Sequence, residues 1–204
     1  MKLEDFEAEL TAASEGEELT EFCRLHLLHG TPFVFHGRDA DFYSFKQRIC
    51  AQYGINHTEV FIVGSGKLGF SPLKKTEFSL DSDIDVAIVS PALWEQVSDL
   101  GRKLEYRLRA SEVSFHKHQW KKYHDYLRYG ALGWVRPDLI PQKPPMVEFK
   151  QQWFDFFNSL SNDRSEVGNY EVTAGLFRSQ THLEEYTTDS LRKIRKQLEV
   201  QAAS

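Results

Sequence analysis

Apolar positions along the chain alternate between helical and strand periods. Leu19, Phe22, Leu25 and Leu28 fall at helical spacing, so the segment up to about residue 28 reads as helical. Thr31-Pro32 and His36-Gly37 interrupt that pattern, and a short helix over Phe42–Gln52 follows, ended by Gly54. Glu59–Val63 is an apolar, β-branched run that stops at Gly64, as expected of a buried strand entering a tight loop, and Ile84–Val89 is a second such run. Ser90-Pro91 then supplies a capping hydroxyl and a proline suited to the first helical position, followed by a stripe of Trp94, Val97, Leu100, Leu104 and Leu108.

A further helix is predicted over His118–Tyr129, then the irregular stretch GWVRPDLIPQKPP, an aromatic helix over Phe149–Leu160 and a third strand over Tyr170–Phe177. Thr181 and Glu184 are spaced as a capping box for a last helix whose apolar face is Leu183, Tyr186, Leu191, Ile194 and Leu198. Helices between strands and at both ends predict an α+β fold, or a closely related α/β one, around a small mixed sheet. No repeat or linker divides the chain. It is expected to form a single domain over residues 1–204, with a core at about 55–178, an N-terminal helical segment at 1–54 and a C-terminal helix at 179–204.

Composition narrows the function classes. The chain lacks the ~18 uninterrupted apolar residues of a membrane span. Its acidic N-terminus lacks the pattern of a secretory signal, and Cys23 and Cys50 have neither metal nor disulfide spacing. These features predict a cytoplasmic protein without a membrane partner. The net charge of −5 disfavours general attraction to nucleic acid. The Lys/Arg-rich stretch over 102–128 could still present a basic face, although a solvated helix surface explains the same residues.

The chemistry concentrates in VFIVGSGKLGFSPLKKTEFSLDSDIDVAIVS. Asp83 and Asp85 stand two apart at the head of a strand, so both carboxylates are expected on one face. Two carboxylates held that close repel each other, and a hard divalent cation that prefers oxygen ligands and leaves positions for phosphate relieves the repulsion. Gly64 lets the backbone approach a phosphate, while the Ser65 hydroxyl and nearby N–H groups can donate to it. Lys67 adds a point charge suited to a triphosphate tail.

A strand ending in Gly64-Ser65, followed by a strand opening Ser82-Asp83-Ile84-Asp85, resembles the DNA polymerase β-type nucleotidyltransferase superfamily over about residues 59–90. The resemblance implies Mg2+ (or Mn2+) held by Asp83 and Asp85, and a nucleoside triphosphate, ATP first among them, bound by Gly64, Ser65, Lys67 and Ser82. The expected reaction moves a nucleoside monophosphate to a hydroxyl, with two metals easing pyrophosphate departure and activating the acceptor. A third carboxylate on a later strand is also implied. Asp138, in RPDLIP, resembles the strand ending of the cyclic-oligonucleotide and oligoadenylate synthase branch, although Pro137 sits awkwardly in a central strand; Glu171 or no acid at all are the alternatives. The 17 residues between Ser65 and Asp83 exceed the family's usual spacing and predict an insertion or flap over Gly66–Ser82.

A chain this short favours a small-molecule or partner-protein acceptor, and the resemblance makes a bacterial toxin–antitoxin or antiviral-defence setting plausible. A catalytically silent nucleotidyltransferase-like partner that binds nucleotide or protein is the rival reading. Gly64, Gly66 and Gly69 also spell the dinucleotide-binding fingerprint, but no apolar helical stripe precedes Ser82, and the acids open the second strand rather than end it. Asp81-Ser82-Asp83 is good turn chemistry in its own right. His116, His118 and His124 read as surface histidines, and Phe149, Trp153, Phe154, Phe156 and Phe157 as packing.

Overall fold

Ile84, Val86 and Ile88 alternate with Asp85, Ala87 and Val89, so this strand has two unlike faces to satisfy. A computed structural model describes residues 1–202; residues 203 and 204 of the expected C-terminal helix lie outside the described residues. In chain order the helices are α1 (Leu3–Ala12), α2 (Glu17–Cys23), α3 (Asp39–Tyr53), α4 (Gly64–Leu68), α5 (Pro91–Arg109), α6 (Lys117–Ala131), α7 (Met146–Leu160) and α8 (Gln180–Ala202). The strands are β1 (Val60–Val63), β2 (Phe70–Ser71), β3 (Thr76–Glu77), β4 (Ile84–Val89), β5 (Trp134–Val135) and β6 (Val172–Phe177). The class is mixed α+β, and no described helix is long and apolar enough to cross a membrane.

The main sheet has the order β1-β4-β6-β5: β4 pairs antiparallel with β1 and parallel with β6, and β5 borders β6 antiparallel. Val60, Ile62, Ile84, Val86, Ile88, Val172 and Leu176 turn one face into the main core, which contains Phe45 and Ile49 of α3, Val97 and Leu104 of α5, and Trp153 and Phe157 of α7. Tyr53 packs against Trp153, Phe156 and Phe157, and Phe149 joins the same core, so four of the five expected aromatics pack inside while Phe154 is exposed and borders the cleft. On the other face Ala87, Val89 and Phe177 meet Leu183 of α8, leaving the Asp85 end of the sheet uncovered.

Ser90 caps α5, its hydroxyl accepting from the Leu93 N–H at 3.5 Å. The N-terminal segment is less regular than its periodicity predicts. A break at Ala13–Gly16 separates α1 from α2, and a π-helical turn over Arg24–Leu28 extends α2. Leu25 is 61% exposed instead of joining the apolar stripe, because each three-residue step falls short of a full turn of about 3.6 residues and the series drifts around the helix. The proposed capping box of α8 does not form: the Glu184 carboxylate takes both branches of the Arg24 guanidinium, at 3.0 and 2.9 Å.

The span Gly66–Ser82, expected as an insertion or flap, is ordered. The single turn α4 ends at Gly69 with φ +86°, and β2 and β3 then form a two-stranded hairpin. A helical turn therefore does start at Gly64, contrary to the sequence reading. The dinucleotide-binding alternative nevertheless falls on topology, because β1 and β4 run antiparallel and lack the right-handed crossover helix that joins parallel neighbours.

Candidate functional site

The uncovered part of the sheet floors a cleft of about 960 Å³, lined by Gly64, Ser65, Ser82, Asp83, Asp85, Thr173 and residues of α8 and the β2–β3 hairpin. The antiparallel register sets Asp85 opposite Val63, the last residue of β1, so the glycine-serine turn and the aspartate meet at the same end of the sheet. Gly64 has φ +66°, and a Cβ built on it would lie 2.9 Å from Asp85 Oδ2. Both the backbone conformation and the close approach call for glycine. The Ser65 hydroxyl forms no hydrogen bond among the described residues and borders the cleft. Ser82 borders it too, with its oxygen accepting from the Ser79 N–H at 3.1 Å and closing the turn before β4.

The parallel register places Thr173 beside Asp85, and its hydroxyl donates to Asp85 Oδ1 at 3.0 Å. Asp85 opens to solvent through the cleft mouth, but the surrounding walls displace much of its hydration. Burial pushes the Asp85 carboxyl up from its ordinary value. The Thr173 hydrogen bond pulls it back down, the charge of Asp83 adds to the rise, and Lys74 opposes it. Two like charges, one of them poorly hydrated, make a site that a divalent cation would relieve, and the available donors are all oxygen.

Asp138, expected as the third carboxylate, borders the cleft but is not grouped with Asp83 and Asp85 into a three-ligand site among the described residues. That residue lies in a 3-10 turn at Pro137–Leu139, beyond the edge strand β5, which β6 separates from β4. Its carboxylate borders the cleft but binds the Arg136 guanidinium at 3.2 and 2.9 Å. Glu171 borders the cleft just before β6, two residues short of Thr173. Among the described residues no group of three His, Cys, Asp or Glu side chains could hold a metal. Thr173 stands next to Asp85 on the neighbouring strand, and nothing in its residue type announces it. Only the pairing register of the third predicted strand would have found it.

Lys67 is also misplaced by the sequence reading. It is buried and does not border the cleft: its ammonium donates to the carbonyls of His29 and of Gly30, the latter at 3.1 Å, and burial lowers its pKa. Lys74, at the tip of the hairpin, borders the cleft instead. The basic stretch over 102–128 is neutralised locally at its arginines and Lys103, while Lys117, Lys121 and Lys122 form no ion pair among the described residues. Asp99 pairs with Arg102 and Lys103, Glu112 with Arg107, Glu105 with Arg109 and Asp125 with Arg128. That pattern is a solvated helix surface.

The chain matches no family model, no curated protein and no solved structure.

Removing the Lys67 ammonium deprives two backbone carbonyls of their donor. Lys67→Met is expected to lower stability in urea denaturation by about 1–3 kcal/mol while leaving ligand binding by the folded protein intact. For Asp85 the sign is opposite. Its folded-state pKa is raised, so deprotonation weakens the fold as pH climbs from the unfolded to the folded value, and the charged form is the less stable one near neutrality. Asp85→Asn keeps an acceptor for Thr173 and removes the charge. Without divalent metal at pH 7 it is expected to melt higher than the parent, by on the order of 1–3 °C, with the difference shrinking in acid. Equal melting at both pH values would show that the carboxylate carries no such strain.

Proposed function

We propose that the cleft binds a nucleoside triphosphate together with Mg2+ or Mn2+, with ATP the first donor to test, and that it transfers the nucleoside monophosphate to a hydroxyl of a small molecule or partner protein. One observation carries this reading: Asp83 and Asp85 at the head of β4 border the same cleft as Gly64-Ser65, which directly follows the adjacent β1. Together with the α+β sheet, that arrangement supports assignment to the polymerase β-type nucleotidyltransferases. In that superfamily small stand-alone members occur in bacterial defence and toxin–antitoxin loci, and the reading extends to such a setting.

Asp83 and Asp85 would hold the metal, and the Thr173 hydroxyl would keep the Asp85 carboxylate turned into the cleft. The bound cation supplies charge neutralisation at the phosphate oxygens and lowers the barrier to displacement. Ser65 and the open N–H groups of the turn at Gly64 would orient the phosphates, because Gly64 lets backbone and ligand approach closely. Orientation of donor and acceptor in the cleft would contribute much of the rate. Acids crowd this cleft, so a triphosphate without its cation should be repelled.

Purified protein incubated with labelled nucleoside triphosphates and Mg2+ is expected to release pyrophosphate or label an acceptor. The Asp83→Ala/Asp85→Ala double variant is expected to lose that signal, as is the wild type in EDTA. Full activity in the double variant would end the assignment.

Thr173 favours a second reading, in which the protein binds metal and triphosphate without turnover, because a neutral hydroxyl stands where a third ligand charge would serve. Thr173→Asp restores that charge. It is expected to tighten Mg2+-dependent triphosphate binding about tenfold, as an added carboxylate ligand does. Pyrophosphate release that appears only in Thr173→Asp would identify the wild type as the silent form. Unchanged metal affinity would remove Thr173 from the ligand sphere.

A further inference from the structure

We propose that Lys74, at the tip of the β2–β3 hairpin, is the residue that binds the β- and γ-phosphates of the ligand. The inference rests on the triphosphate-binding reading above and gives the inserted hairpin a purpose within it.

The cleft has a charge problem. Glu77, Asp81, Asp83, Asp85, Asp138 and Glu171 all border it, against Lys74 and Arg136 as the cations of its described lining. A divalent ion already shared between two aspartates does not neutralise a triphosphate tail, so the tail needs a protein cation. Arg136 is committed: Asp138 takes two of its nitrogens, the Tyr129 hydroxyl accepts at 3.4 Å, and the guanidinium lies over the rings of Tyr129 and Trp134. Lys67 is held in the interior by His29 and Gly30. Lys74 is exposed, borders the cleft, and its ammonium forms neither an ion pair nor a hydrogen bond among the described residues.

The hairpin fixes the backbone that carries that side chain. Lys75, with φ +54°, makes the turn and is tied outward, to Glu7 of α1 at 3.4 Å and to Gln201 of α8 at 2.7 Å. The Lys74 backbone N–H donates to the Ser71 hydroxyl oxygen at 3.3 Å. At the base, Phe70 packs edge-on against Phe6 at 5.6 Å, and the Phe78 N–H donates to the Gly69 carbonyl at 2.9 Å. Two adjacent lysines are thereby sorted into an anchor and a free ammonium at the cleft. A flexible lysine suits a phosphate tail, which offers several equivalent oxygens and no fixed bidentate geometry.

The test compares wild type, Lys74→Met and Lys74→Arg by calorimetric titration with Mg2+–ATP and Mg2+–AMP, alongside thermal melting. Loss of a charge-assisted contact predicts about tenfold weaker Mg2+–ATP binding in Lys74→Met, with Arg recovering most of it. Mg2+–AMP affinity, which lacks the outer phosphates, and the melting temperature are expected to stay at wild-type values. Equal Mg2+–ATP affinity in wild type and Lys74→Met overturns the lysine assignment and leaves the triphosphate reading standing. Equal weakening of ATP and AMP also overturns it, by showing a general distortion of the cleft. A wild type that binds no Mg2+–ATP overturns the underlying reading and this inference together.

Discussion

Strand β4 is bonded on both sides, and its alternation permits one register. Ile84, Val86 and Ile88 fill the main core while Asp85 faces the cleft. A slip of one residue would drive the carboxylate into the core and bring three large aliphatic side chains to the other face, so burial of the apolar face fixes the aspartate. Asp85 is not placed by its own interactions. Its neighbours then adapt to it: Gly64 at the end of β1 has no Cβ to meet its oxygen, and Thr173 on β6 donates a hydrogen bond to it.

Such a carboxylate is a liability for the fold alone. The cleft walls displace part of its hydration, Asp83 stands near, and one neutral hydroxyl is the compensation. An asparagine or serine there would satisfy Thr173 without the electrostatic penalty. Groups held in an unfavourable charge state inside a cleft are concentrated at functional sites, because the strain is released when the proper ligand arrives. The remaining lining is acidic as well, a field that would favour a cation, or an anion escorted by one, over a bare anion.

What the sequence disclosed follows the range of the forces involved. The strands Val60–Val63, Ile84–Val89 and Val172–Phe177 and the capped helix α5 were legible because period, β-branching and capping are local. The adjacency of Gly64-Ser65 and Asp85 was legible through a motif that ties two neighbouring strands. Thr173 was hidden because its role comes from a parallel register between strands far apart in sequence. Lys67 misled because a lysine after a glycine-serine turn looks like a phosphate ligand, whereas two carbonyls distant in sequence claim it. Asp138 was singled out by a local motif, which could not show that a neighbouring arginine pairs with its acid. Leu25 left the apolar stripe because repeated steps of three residues drift around a helix of about 3.6 residues per turn.

The N-terminal segment belongs to the cleft as much as to the core. A hairpin of two-residue strands has too little surface to stand alone, so its position must be borrowed. Phe6 of α1 meets Phe70 at its base, the carbonyls of His29 and Gly30 hold the ammonium of Lys67 in the turn that leads into it, and Glu7 holds Lys75 at its tip. Phe33 lies against Gly69, where a Cβ would come within 2.7 Å of its ring. These contacts all join residues 1–35 to the segment around the β2–β3 hairpin rather than to the main sheet. The helices that precede β1 therefore set where the wall of the cleft stands over Asp83 and Asp85. Displacing α1 would move Lys75, and with it the hairpin tip, before it disturbed any residue of β4.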